Sequence, residues 1–202
     1  MRDRLNSLLR RVPVWVVYVA GMLPAPILLY MGAVGALGVE PIKALEHELG
    51  ELALKFLVAG LAVTPLRRFA GINLLKFRRA IGLIAFYYVS CHLLVWLVLD
   101  VQLPSQIWAD IVKRPYITVG MAAFVLLTPL AVTSNNLSLR RMGPVAWRRL
   151  HKLVYPAVIL GAVHYVMLGK GFQIEPLIYL AIILGLLLAR LPKPSRRRVE
   201  SA

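Results

Sequence analysis

Long uncharged, apolar stretches alternate with short basic ones along the whole chain. Val12–Val39 carries no charged residue, and it is long enough to span a hydrocarbon core of about 30 Å. Ala80–Leu99 and Leu153–Gly169 are likewise uncharged, and Pro115–Thr133 reads the same way. A weaker stretch, Leu49–Leu66, contains Glu51 and Lys55, whose i,i+4 spacing lets them pair on one helix face. The last stretch, Pro176–Leu191, holds only a short uncharged run, so Glu175 or Arg190 is expected to snorkel to an interface. The pattern predicts six membrane helices, at about 12–34, 49–66, 80–99, 115–133, 151–168 and 176–191. It defines an all-α membrane protein, a six-helix bundle forming a single domain over residues 1–202.

Composition supports the same class. The chain is 59% hydrophobic, with mean hydropathy +0.73, well outside the usage of soluble domains. The first stretch is too long for the apolar core of a signal peptide and reads as a retained helix. The only cysteine is Cys91, so no internal disulfide framework exists.

The net charge of +15 would suggest nucleic acid in a soluble protein. Here 19 of the 24 Lys and Arg fall in four clusters, at Met1–Arg11, Arg67–Arg79, Arg140–Lys152 and Arg190–Arg198. Each cluster ends an apolar stretch on the same side of the predicted bundle. That is the positive-inside signal, and it puts both termini in the cytoplasm. A lipid bilayer, not nucleic acid, is the expected partner. The other side then carries Glu40, Glu46, Glu48, Asp100, Asp110 and Glu175.

Two histidines lie inside predicted membrane helices that run outward from the cytoplasm. His92 is 13 residues after Arg79, and His164 is 13 residues after His151. At 1.5 Å per residue both sit about 20 Å above the inner boundary. An ionisable ring at that depth is costly and needs a partner. A lone histidine there is explained equally well by hydrogen-bonded packing. Two at matched depth suggest a shared partner, most economically a haem iron held by one imidazole from each helix. The residues alone leave both explanations open. A zinc-type site is disfavoured, because no Cys/His cluster has short ligand spacing.

His151 lies at the cytoplasmic interface in Arg148-Arg149-Leu150-His151-Lys152. It reads either as a solvated interfacial residue or as a ligand or donor at an inner site. On an ideal helix it faces about 140° away from His164, so a shared cavity requires a kink, which Pro156 can supply. His47, between Glu46 and Glu48, reads as an ordinary interfacial residue.

Several short stretches carry a resemblance: Ala53–Leu57, Thr64–Leu66, Arg78–Leu83, Arg114–Tyr116, Leu150–Tyr155, His164–Tyr165 and Pro176–Tyr179. In this order and spacing they resemble the ferric-reductase-like transmembrane family, and within it the MsrQ (YedZ) family. The resemblance implies haem b between helices three and five, with His92 and His164 as axial ligands. The wider family stacks two haems there, each helix supplying two histidines 13 or 14 residues apart. This chain keeps His151, but Arg78 stands 14 residues before His92. A guanidinium stays protonated and is a poor ligand, so the inner site has lost one ligand. His151 and Arg78 remain candidates for an inner site or cofactor contact. The basic surroundings, with Arg79, Arg148 and Arg149, either obey the positive-inside rule alone or bind the phosphate of FMN, a second cofactor the resemblance implies.

No Gly-rich nucleotide fingerprint follows a strand pattern, so electrons are expected from a separate donor. The resemblance implies an electron-transfer subunit in the bacterial inner membrane. The donor would be the quinone pool or a soluble flavin reductase. The acceptor would be MsrP, a periplasmic molybdopterin enzyme that reduces methionine sulfoxide in oxidised proteins. Lys113, Arg114, Asp110 and Lys170 are the candidate docking residues on the outer side. The competing functions are a stand-alone ferric or metal-ion reductase, which needs no protein partner, and a small transporter or scaffold, for which inverted halves would be expected.

Overall fold

A computed structural model describes residues 2–169 and 173–191, and every regular element in them is helical. Helix α1 (Arg2–Arg11) is amphipathic and was not foreseen from the apolar pattern, because it lies outside any long stretch. It is pinned from its C-terminal end. Lys76 Nζ donates to the carbonyls of Arg10 and Val12 at 2.8 and 2.7 Å, which are among the acceptors a helix end leaves unpaired. The predicted first membrane helix is two pieces, α2 (Val14–Met22) and α3 (Pro24–Ala33). Pro24 lacks an N–H and opens the second piece. Together they make a 20-residue apolar span.

Helix α4 (Pro41–Pro65) begins eight residues earlier than the charge pattern suggests. Pro41 pre-sets its first turn, and Lys43 pairs with Glu40 three residues back. Lys43, Glu46, His47 and Glu48 are therefore on a helix, not in a loop, with consequences for the site. The helix ends in a wider turn, Leu66–Ala70, stopped by Gly71 at φ 70°. Helix α5 (Arg78–Val95) likewise ends in a wide turn, Trp96–Val101. A short amphipathic helix, α6 (Pro104–Lys113), occupies what looked like loop, and α7 (Pro115–Val132) follows the expected bounds closely.

Helix α8 (Asn136–Leu150) is capped by Asn135, whose Oδ1 accepts from the Ser138 N–H at 2.7 Å. Gly143 breaks it at φ 75°, a conformation that costs glycine little. A tight turn, His151–Leu153, leads into α9 (Val154–Leu168). The expected kink at Pro156 is absent. Pro156 sits in the first turn of α9, where its missing N–H disrupts nothing, and the irregularity falls before it. Helix α10 (Ile174–Leu188) has 15 residues. Five segments are long and apolar enough to cross a membrane, and α10 is shorter.

The bundle is a ring. Helix α4 packs on α5, α5 on α7, α7 on α9, and α10 closes the gap between α9 and α4, while α2 lies outside α5. Leu54, Leu61, Ala85, Val158, Ala162 and Ile183 meet at its centre, and Leu49, Ile84 and Tyr88 fill the layer beneath α2 and α3. Val19, Ile27, Val125, Ile182 and Leu188 are exposed, as expected of a face turned to lipid. Arg190 folds back onto α4. Pro65 has no N–H to give the Leu61 carbonyl, and Arg190 Nη2 and Nε donate to it at 2.6 and 3.1 Å. This ties the end of α10 to α4 where proline left an acceptor free.

Candidate functional site

Two histidines meet inside the ring. His92 on α5 and His164 on α9 have ring centroids 6.2 Å apart and ring planes at 77°. Each is held by the same device. His92 Nδ1 lies 2.9 Å from the Glu46 carbonyl on α4. His164 Nδ1 lies 2.7 Å from the Tyr116 carbonyl on α7. A carbonyl only accepts, so each Nδ1 carries the proton and each Nε2 is left with a free lone pair.

In both cases a glycine sits four residues after the accepting carbonyl, one helical turn on. A Cβ on Gly50 would stand 3.1 Å from His92 Nδ1, and one on Gly120 only 2.8 Å from His164 Nδ1. Helices α4 and α7 thus expose bare backbone for the rings to lie against. The sequence contained this signal, since Glu46/Gly50 and Tyr116/Gly120 share one spacing, but nothing in the apolar pattern singled it out.

Both histidines line one cavity of about 740 Å³, within the about 300–1,000 Å³ usual for cofactor pockets. Its walls are largely apolar, including Leu54, Leu57, Val89, Trp96, Phe124 and Leu127. Its rim carries Lys43, Glu46, His47, Glu48, Asp100 and Arg114. His47, read from the sequence as merely interfacial, lines this cavity and a smaller one of about 450 Å³ beside it.

The residues fit a haem. Two imidazole–metal bonds of about 2 Å each, with the offset of each ring centre, separate ring centroids by about 6 Å, close to the 6.2 Å observed. Among the described residues no group of three or more His, Cys, Asp or Glu gathers as a metal site. The two-imidazole set therefore suits a metal that brings its own equatorial donors. Carbonyl-bound Nδ1 atoms are the usual support for such ligands.

The inner candidates are arranged differently. His151 Nε2 is 3.1 Å from Thr133 Oγ1, and that hydroxyl also donates to the Pro129 carbonyl at 2.6 Å. The hydroxyl proton being used, His151 Nε2 donates. Trp147 stacks on the His151 ring at 3.7 Å and donates from Nε1 to the Thr133 carbonyl. His151 thus fastens the α8–α9 corner to the end of α7. Arg79 Nη2 donates to Asn136 Oδ1 at 2.9 Å. Arg78, Arg148 and Arg149 are exposed. At the corner between α6 and α7, Arg114 pairs with Asp110 at 3.3 Å and lines the cavity. Lys113 ends α6 beside it, and Lys170 lies outside the described residues.

A ring of membrane helices around two facing histidines matches what comparison with known proteins finds. Residues 49–162 match the family described as ferric reductase like transmembrane component, and the chain belongs to that family. The chain is also 51% identical over 189 residues to proteins of Brucella ovis, Brucella canis and Brucella suis, covering 93% of this chain and 86% of theirs. Each is named protein-methionine-sulfoxide reductase heme-binding subunit MsrQ, and the chain is a member of the MsrQ family.

Proposed function

We propose that this protein is a haem b-binding electron-transfer subunit of a methionine sulfoxide reductase system. In this proposal it takes electrons from the quinol pool or a cytoplasmic flavin reductase. It delivers them to MsrP, the periplasmic molybdopterin reductase that repairs oxidised proteins. The observation that carries the reading is the pair of free Nε2 atoms, each set by a carbonyl-bound Nδ1, facing one apolar cavity. The name borne by the Brucella relatives supports the cofactor and the reductase system.

When bound, haem supplies a one-electron carrier inside the membrane. The chain's own residues do the rest. His92 and His164 are the proposed axial ligands, and their bonds to Glu46 and Tyr116 fix tautomer and orientation. The apolar walls exclude water, which keeps the site at low dielectric. Lys43 and Arg114 at the rim are placed to balance propionate charge. The basic inner edge, Arg78, Arg79, Arg148 and Arg149, is the proposed seat of the FMN phosphate that the family resemblance implies.

In the same proposal the chain crosses the inner membrane six times with both termini in the cytoplasm. The rim around Asp110, Lys113 and Arg114 then faces the periplasmic partner. The experiment is reoxidation of the reduced, haem-quantified protein. Fast reoxidation by a periplasmic molybdoenzyme and slow reoxidation by ferric chelates is the expected result. Fast reoxidation by chelates with no effect of the molybdoenzyme would leave a stand-alone metal-ion reductase instead.

A further inference from the structure

Helix α1 is held to the bundle by polar contacts alone. None of its ten residues is buried, and an isolated helix of that length is marginal in water. Asn6 Nδ2 donates to the Gly71 carbonyl at 3.0 Å, and Asn6 Oδ1 accepts from the Asn73 N–H at 3.0 Å. Lys76 holds the far end of the helix. Exposed bonds of this kind stabilise only modestly. No apolar surface among the described residues completes the helix.

The side-chain pattern of α1 defines the surface that would complete it. At about 100° per residue, Leu8, Leu5 and Leu9 form one stripe about 100° wide. Leu5 and Leu8 are 40% and 59% exposed. Arg4 and Arg11 run along one edge of the stripe, and Arg2 and Arg10 lie beyond the other. All four arginines are exposed, and Asp3 is the only acid in the helix. The completing surface is therefore apolar beneath the leucines and negative on both sides of them. Only Val12 and Pro13 separate Arg11 from the apolar span Val14–Ala33, so α1 stays at the membrane boundary. A narrow apolar stripe flanked by arginines is the pattern of a helix that lies along a bilayer interface and does not cross it. Arginine stems are long enough to keep the leucines in the acyl region while the guanidiniums reach the headgroups.

We propose that α1 lies in the plane of the membrane interface and binds anionic phospholipid headgroups. Leu5, Leu8 and Leu9 enter the acyl boundary, and the four arginines pair with headgroup phosphates through forked hydrogen bonds. Zwitterionic lipid satisfies the leucines alone, because it carries no net charge to attract the arginines. Asn6 and Lys76 tie α1 to the segment Gly71–Lys76, and α5, which bears His92, starts at Arg78. Lipid bound to α1 thereby also steadies the entry to that helix.

The test uses the full chain in lipid nanodiscs, with a nitroxide at Leu8→Cys, or at Ser7→Cys on the polar face, in a Cys91→Ser background. Discs of phosphatidylcholine are compared with discs containing phosphatidylglycerol. In the anionic discs the Leu8 label should be immobilised and reached more readily by oxygen than by a water-soluble nickel complex, and the Ser7 label should show the reverse accessibility. Arg4→Gln combined with Arg11→Gln should lower the ratio of immobilised to mobile Leu8 label about 25-fold, at about fivefold for each arginine near an anionic surface. Arg4→Lys combined with Arg11→Lys should largely keep that ratio. A Leu8 label open to the nickel complex in both kinds of disc, or equally immobilised in both, overturns the proposal. The comparison of the two discs needs no arginine variant and decides the matter even where one fails to fold.

Discussion

Gly120→Ala probes how the ligand rings are held. Its new methyl would lie 2.8 Å from His164 Nδ1 and 3.0 Å from Cε1. Ordinary carbon contacts begin near about 3.5 Å, so the ring must retreat by about 0.7 Å. The bond from Nδ1 to the Tyr116 carbonyl, now 2.7 Å, would then stretch to about 3.4 Å, beyond useful hydrogen-bond range. That bond makes the imidazole a better donor to iron and favours the ferric state. If the whole of the about 0.5–1.5 kcal/mol such a bond contributes acted on the ferric state alone, its loss would raise the haem midpoint potential by about 20–65 mV, which is the upper bound, at 59 mV per tenfold for one electron. Haem affinity should fall about 10–100-fold, as for other supporting partners of metal ligands. Gly50→Ala should act in the same direction but less, because its methyl would meet His92 at 3.1 Å. Gly82→Ala is the control, with nothing within 4 Å of its Cβ. Redox potentiometry and haem titration of the three variants decide the matter. Unchanged potential in Gly120→Ala, or an equal shift in Gly82→Ala, would refute the reasoning.

Other outcomes follow from the same geometry. Gly161→Leu, on the cavity wall, should leave a folded protein that no longer takes up haem, read by circular dichroism beside the haem absorbance. Arg78→His should not raise the haem count per chain, since His151 stays committed to Thr133 and Trp147; a second haem in that variant would show the inner corner to be an open ligand site. Arg190→Met leaves the Leu61 carbonyl unpaired, and should cost about 1–3 kcal/mol, measured as a lower midpoint of thermal unfolding in detergent. Electron delivery to the proposed periplasmic reductase should slow with added salt, because the proposed docking rim is charged; a salt-independent rate would place docking elsewhere.

The core of the site was legible because it obeys a depth rule. His92 and His164 are both costly in hydrocarbon, and equal distances from charged boundaries put them at one level. What faces them was not legible. Glu46 and Glu48 lie outside the predicted helix 49–66, whereas α4 begins at Pro41 and brings the Glu46 carbonyl and His47 to the cavity. Apolar periodicity also missed α1 and α6, short amphipathic helices in which no residue is buried. Pro156 misled for a local reason. Proline kinks a helix interior, but here it occupies a first turn, and the chain bends at Gly143 and His151–Leu153. The role of Arg190 depends on Pro65, 125 residues away in sequence, a pairing that only the packing of α10 on α4 reveals.

The central claim is that one haem iron is held between His92 and His164. Low-temperature electron paramagnetic resonance of the oxidised protein, with haem quantified per chain, tests it most directly. The claim predicts a low-spin ferric signal of strong anisotropy, since the ring planes stand at 77°, and its loss in both His92→Ala and His164→Ala. A wild-type protein without bound haem, or variants that both keep full haem content and an unchanged low-spin signal, would contradict it.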